Sequence, residues 1–171
     1  MTGTAAGVSR VEVRPGLVLE PQHPDLAPAY FALVERNLAR LARWEPWALE
    51  RQSLAGIRAF LAWQAQAAVS RTQLPFVIVA DGEQVGSCSA RLDAAVEGTG
   101  LAAESIGALV DHVFARGDVF RVQARTAVHN ARSRALLERL GFALEGVQRS
   151  GQRLGDRRID MAVYAKIRNA D

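Results

Sequence analysis

The stretch Val119–Phe142, VFRVQARTAVHNARSRALLERLGF, sets the architecture of this chain. Its first part alternates apolar and polar residues at the period of a half-buried strand. Asn130 then supplies a side chain suited to capping a helix. Ala135, Leu136, Leu137 and Leu140 follow at helical spacing, and Gly141 ends the helix as a left-handed terminator before a new apolar run. Strand, capped helix, glycine stop and strand in 24 residues predict a sheet with helices on its faces.

Working upstream, Leu101, Ile106, Leu109, Val110, Val113 and Phe114 predict a helix ending near Gly117, entered through Glu97-Gly98-Thr99-Gly100. Before it, Phe76–Ala80 and Gln84–Leu92 read as two strands joined at Asp81-Gly82, a hairpin dipeptide. Pro24–Leu41 reads as one helix, with a second running from a Ser53 cap to about Val69; Trp44-Glu45-Pro46-Trp47 separates them. Leu17-Val18-Leu19 is the first strand. Downstream, Phe142–Gln148 and Met161–Ile167 read as strands, and the polar segment Ser150–Arg158 between them as a loop. The order β-α-α-β-β-α-β-α-β-β predicts one α/β domain over residues 13–171, behind a flexible segment of residues 1–12.

Composition bounds the function. The 171 residues are 49% hydrophobic and 23% charged, as expected of a globular domain. Cys88 is the single cysteine, which excludes an internal disulfide and a multi-cysteine zinc site. With three scattered histidines, no metal is expected. Residues 1–16 lack the apolar core of a secretory signal and no run suits a membrane span, so a soluble cytoplasmic protein is expected. Charge is uneven: residues 1–115 hold nine Arg against twelve acids, whereas residues 116–168 hold twelve basic residues against five acids. Such asymmetry suits an anionic ligand such as a phosphorylated cofactor, and equally a solvated basic surface. A nucleic-acid partner is not expected, because the basic half lacks the interleaved aromatics of a stacking platform.

Two segments carry candidate chemistry. Gly98 and Gly100 stand before a helix, where glycines admit close backbone approach and the helix start presents unpaired N–H groups. Alone, the pair fits a phosphate cradle or a plain helix entry, and the spacing matches neither a Walker nor a dinucleotide-binding fingerprint. Asn130 and Ser133, read alone, are a cap and a first-turn residue.

Together, Glu97 to Ala102, Asn130-x-x-Ser133 and Leu140-Gly141-Phe142 resemble the GNAT superfamily of acyl-CoA N-acyltransferases, and within it the RimL-like ribosomal-protein N-acetyltransferases. The opening helix with its aromatic loop (Leu33–Asn37, Trp44–Trp47) and the last strand (Met161–Ile167) are similar as well. The resemblance implies a single GNAT-type domain: a mixed, mostly antiparallel sheet flanked by helices. It implies acetyl-CoA as acyl donor, with the pyrophosphate at Gly98, Thr99, Gly100, Leu101 and Ala102. The pantetheine arm falls to Asn130, and the 3′-phosphate lies near Arg132 or Arg134. Ser133 takes the role of proton donor to the leaving thiolate; Trp44 and Trp47 suit either a wall of the substrate cleft or an aromatic pair packed from surface to core.

Three departures stand out. Glu97 occupies a position that in the family is usually Gln or Arg, and Gln152 one that is usually the basic Glu, leaving water or a carboxylate such as Glu45 to take the proton. Only Ser87 to Glu97 separates Gly86 from the glycine loop, room for one strand and a turn where relatives have two, so the sheet is expected to be one strand short. The implied activity is N-acetylation of a primary amine: a protein N-terminal α-amine first, a small-molecule amine (antibiotic or polyamine) as alternative, and a non-catalytic CoA-binding or interaction protein as the competing class. A homodimer is compatible with the sequence.

Overall fold

The computed structural model describes residues 9–69, 75–88, 91–92 and 98–168. Its elements are β1 (Val11–Arg14), β2 (Leu17–Pro21), α1 (Ala27–Leu41), α2 (Leu54–Val69), β3 (Phe76–Ala80), β4 (Glu83–Ser87), β5 (Arg91–Leu92), α3 (Leu101–Ala115), β6 (Arg121–Ala127), α4 (Ala131–Arg139), β7 (Ala143–Leu154) and β8 (Arg157–Ile167). The strands divide into two sheets, ordered β1-β2-β3-β4-β5 and β6-β8-β7, and every described pairing is antiparallel. The α/β class, with mostly antiparallel strands and helices on both faces, holds; among the described residues the strands pair as two sheets.

Strand alternation sorts the first sheet's faces. Leu17, Leu19, Phe76, Ile78 and Val85 point to one face, where they meet Leu101 and Leu109 of α3. Val77 and Val79 point to the other, against Tyr30 and Val34 of α1 and Ile57 and Leu61 of α2. A third core forms where Ile106, Val110 and Phe114 of α3 and Leu137 of α4 cover Val122, Ala124, Ala162 and Tyr164 of the second sheet. Leu17, Leu19, Phe76 and Tyr164 are completely buried. Each such side chain contributes about 1.5–3 kcal/mol relative to an exposed one. Helix α3 belongs to both halves: Leu101 and Leu109 serve one core, Ile106, Val110 and Phe114 the other.

Several boundaries differ from the sequence reading. Strand β1 begins at Val11, inside the segment expected to be flexible; residues 1–8 lie outside the described residues. Val11 and Val13 lean on the first core and a turn at Gly16 (φ 80°) returns the chain into β2. Pro24–Leu26 forms a single 3-10 turn, and α1 starts at Ala27. The run Gln84–Leu92 is not one strand. It breaks into β4 and β5, which pair with each other through Gly86↔Leu92 and Ser87↔Arg91. A short strand, β5, thus follows the full-length β4 before the glycine loop, so the sheet is not a strand short. The expected loop Ser150–Arg158 is instead the tip of a long β7–β8 hairpin, turning at Gly155. Its irregularity is real: the register shifts between Gln148 and Gln152, and Ser150 has φ 52°.

Candidate functional site

The two sheets do not pair with each other among the described residues, and a cleft of about 1300 Å³ opens where they diverge. One end is built by helix starts. Gly98 and Gly100 both adopt left-handed backbone (φ 80° and 87°), and Gly100 caps α3. A Cβ added at either would meet nothing within 4 Å, so these glycines face open cleft. The first amides of α3 have no intrahelical acceptor. A weak 3.5 Å bond from the Leu101 N–H to Thr99 Oγ1 occupies one. Ala102, Ala103 and Ile106 continue this wall.

Facing them is the start of α4. The Ser133 N–H donates to Asn130 Oδ1 at 3.1 Å, so Asn130 caps the helix through its side chain. Both residues line the cleft with Arg132, so two helix N-termini and a guanidinium group meet at one end, while Arg139 lines the cleft from the last turn of α4. Partial positive charge from the helix starts adds to the full charge of Arg132, an arrangement that favours a phosphorylated ligand.

The other end is built by the C-terminus of α1, the chain after it and the second sheet. Val122 and Ala124 of β6 face the helices, so Arg125, one step out of phase, emerges on the opposite side. Arg40, Arg43, Trp44, Glu45, Gln152 and Met161 complete this end. Gln152 Nε2 donates to the Trp44 carbonyl at 2.9 Å, and Arg125 Nη2 to the Gly151 carbonyl at 3.3 Å, fastening the hairpin across the cleft's edge. Glu45 is the one carboxylate among the described lining residues, and Trp47 Nε1 donates to its Oε2 at 3.0 Å.

Of the residues expected at the site, the cleft brings together Gly98, Gly100, Ala102, Asn130, Ser133 and Trp44. Four others are placed elsewhere. Leu101 buries its side chain in the first core, leaving only its backbone near the site. Thr99 turns its hydroxyl back to the α3 entry. Trp47 packs against the core between α1 and α2, so it orients Glu45 rather than walling the cleft. Arg134 turns away altogether: its Nε donates to the Tyr164 hydroxyl at 3.0 Å and its Nη1 to the Val128 carbonyl at 3.4 Å. Tyr164 in turn donates to Glu138 Oε1 at 2.7 Å. The bond to Tyr164 raises the Arg134 pKa above its usual value and makes the residue a brace for α4. Glu97 lies outside the described residues.

Arg40, Arg43, Arg125 and Arg139 are lining residues that the sequence reading missed. Only Arg125 left a trace, in the alternation of its strand. Cys88 packs against the first core; burial of the thiol pushes its pKa up to about 12, which removes it as an acyl carrier at neutral pH. Among the described residues no group of three or more His, Cys, Asp or Glu side chains is arranged to hold a metal, and no helix is long and apolar enough to cross a membrane.

Comparison with known proteins gives a consistent picture. The family described as acetyltransferase (GNAT) domain matches residues 16–143. The ribosomal-protein-serine acetyltransferase of Escherichia coli (strain K12) is 32% identical over 76 residues, which are 44% of this chain and 42% of that protein, so the aligned region spans less than half of this relative. A RimL ribosomal L7/L12 α-N-protein acetyltransferase solved in complex with coenzyme A superposes with a TM-score of 0.88 at 26% identity, over 95% of this chain and 100% of the other. An acetyltransferase from Salmonella typhimurium, described as modifying the N-terminal serine of ribosomal protein L7/L12, has the same fold at 24% identity and a TM-score of 0.81, over 94% of this chain and 100% of that one.

Proposed function

This chain belongs to the GNAT acetyltransferase family, and from that premise we propose that it transfers the acetyl group of acetyl-CoA to a protein N-terminal α-amine. The observation that carries the reading is the cleft itself. It runs from two converging helix N-termini to a wall holding one carboxylate, so donor and acceptor can meet between the sheets.

At the donor end, the backbone of Gly98 to Ala102 cradles the pyrophosphate, Asn130 orients the pantetheine arm, and Arg132 supplies charge for the phosphates. At the acceptor end, Glu45 takes the proton of the attacking amine, directly or through one water. The new N–C bond forms as the C–S bond breaks, and Ser133 donates its hydroxyl proton to the departing thiolate before recovering one from solvent. Gln152 takes no part in proton transfer, because an amide has no basic oxygen and its Nε2 is committed to the Trp44 carbonyl.

Calorimetric titration of acetyl-CoA into the chain, followed by thiol release with serine-initiated peptides, tests the reading. Binding in the micromolar range with release that depends on a free peptide N-terminus is the expected result. A folded chain that binds no acetyl-CoA overturns it.

A further inference from the structure

The donor end accounts for Arg132, but not for Arg40, Arg43 and Arg125. These three lie at the other end of the cleft, around Trp44 and Glu45, on the far side of β6 from α3 and α4. Arg40 Nη2 donates to Asn37 Oδ1 at 3.3 Å and Arg125 Nη2 to the Gly151 carbonyl, and Glu45 is the one carboxylate among the described lining residues. The surroundings reinforce the sign: the tip of the β7–β8 hairpin beside this end, residues 149–160, carries Arg149, Arg153, Arg157 and Arg158 against Asp156 and Asp160. Asp160 is already engaged, its Oδ1 accepting the Ser150 N–H at 2.7 Å. The hairpin turn reaches the segment after α1, for a Cβ placed on Gly155 would lie 3.6 Å from Leu49 Cδ1. The hairpin tip beside this end of the cleft is therefore net basic.

We propose that the acceptor is an acidic peptide N-terminus, bearing Asp or Glu side chains within the first few residues after the reacting amine. The proposal rests on reading this cleft as an acetyl-transfer site and names the class of acceptor that the site selects. Two physical arguments support it. A cationic acceptor, such as a polyamine or a basic peptide, meets a net like charge at this end of the cleft, whereas carboxylates close to the amine meet complementary charge. The same guanidinium groups also disfavour the protonated amine, so the nucleophile loses its proton more readily beside them. An acceptor with carboxylates near its amine offsets the repulsion on binding while leaving the amine next to Glu45.

The test uses three acceptors with the full chain and acetyl-CoA: two peptides sharing an N-terminal serine, with acidic or with basic residues at positions two to five, and spermidine. Binding of the two peptides, labelled at their C-termini, to the CoA-loaded chain is measured alongside turnover. The expected result is a kcat/KM about ten-fold or more higher for the acidic peptide at low salt. The gap should narrow several-fold as ionic strength rises past 0.15 M, where charges more than about 8 Å apart are screened. Arg43→Glu should erase most of the preference, and Arg43→Lys should keep it. Equal or better turnover of the basic peptide or of spermidine overturns the proposal. If no amine is acetylated while the acidic peptide still binds more tightly, the charge selection stands and the transferase reading fails; if both peptides bind alike, the charge selection fails on its own.

Discussion

Gln152 Nε2 reaches across 108 positions of sequence to donate to the backbone carbonyl of Trp44, tying strand β7 to the segment that ends α1. The bond fixes the acceptor edge of the cleft and explains why an amide stands where the family's resemblance leads one to expect a base.

Gln152→Glu should therefore not improve catalysis. It replaces an N–H donor by a carboxylate facing a carbonyl in a half-buried position. Loss of one such bond costs about 1 kcal/mol. That corresponds to a Tm lower by roughly 2–4 °C for a chain of this size. Thermal unfolding and steady-state kinetics check it; a variant that is both more active and no less stable would show that Gln152 is a disabled base rather than a tie.

Gly100→Val should weaken acetyl-CoA binding at least ten-fold. Its φ of 87° disfavours a β-branched residue, and the new side chain would project into the cleft, where no protein atom lies within 4 Å. Gly82, at the β3–β4 turn, shares nearly the same geometry (φ 84°, open space) away from the cleft. Calorimetry on Gly82→Val should show ordinary CoA affinity despite a similar backbone penalty. Equal weakening in both would assign the effect to global stability.

Ser133→Ala should lower kcat by about 10²-fold, the usual worth of a placed proton donor. The dissociation constant for acetyl-CoA should hardly move, because the capping bond to Asn130 uses the Ser133 backbone N–H and survives the change. Asn130→Ala gives the contrasting signature. It removes the cap at a cost of about 1 kcal/mol in stability and should weaken acetyl-CoA binding. Single-turnover rates and calorimetry separate the two.

Cys88 should react slowly with Ellman's reagent at pH 8 in the native chain and quickly in urea, because the buried thiol holds its proton up to about 12. Its contribution to stability has a defined sign. The folded thiol's pKa lies above the unfolded value of 9.0, so the contribution is complete below pH 9 and is lost as pH rises from 9 toward 12. Urea unfolding at pH 8 and pH 10.5 should show the wild type losing about 1–2 kcal/mol more than Cys88→Ala over that interval. Identical losses would mean the thiol is solvated.

The parts that could be read from sequence are those whose local signals agree. Helix α4 announces itself through Asn130, the leucine spacing and Gly141, and its cap is where the sequence puts it. The glycine loop likewise stands at the entry to α3. What escaped depends on distant partners. The hairpin tip Ser150–Arg158 is polar, largely exposed and interrupted by glycines, so it has no apolar alternation to mark it as strand; only pairing between Gln152–Leu154 and Arg157–Ile159 makes it one. Strand β5 is two residues long, below any period. Arg134 looks like Arg132 on the α4 helix, and what separates them is Tyr164, thirty positions away and fully buried. Trp44 and Trp47 diverge for the same reason: one turns toward the gap between the sheets, the other into the core beside α1.

Helix α3 threads two cores whose sheets share no strand pairing among the described residues. Without ligand, the seam between the halves is held by that helix and by side-chain ties such as Gln152 to Trp44. On the proposed reading, a donor lodged between Gly100 and Asn130 fastens one half to the other. By mass action its occupancy adds about 2.7 kcal/mol to the folded state at a hundred-fold excess over its dissociation constant. The supply of acyl donor thereby governs how long the chain survives thermal opening and proteolysis, as well as how fast it turns over.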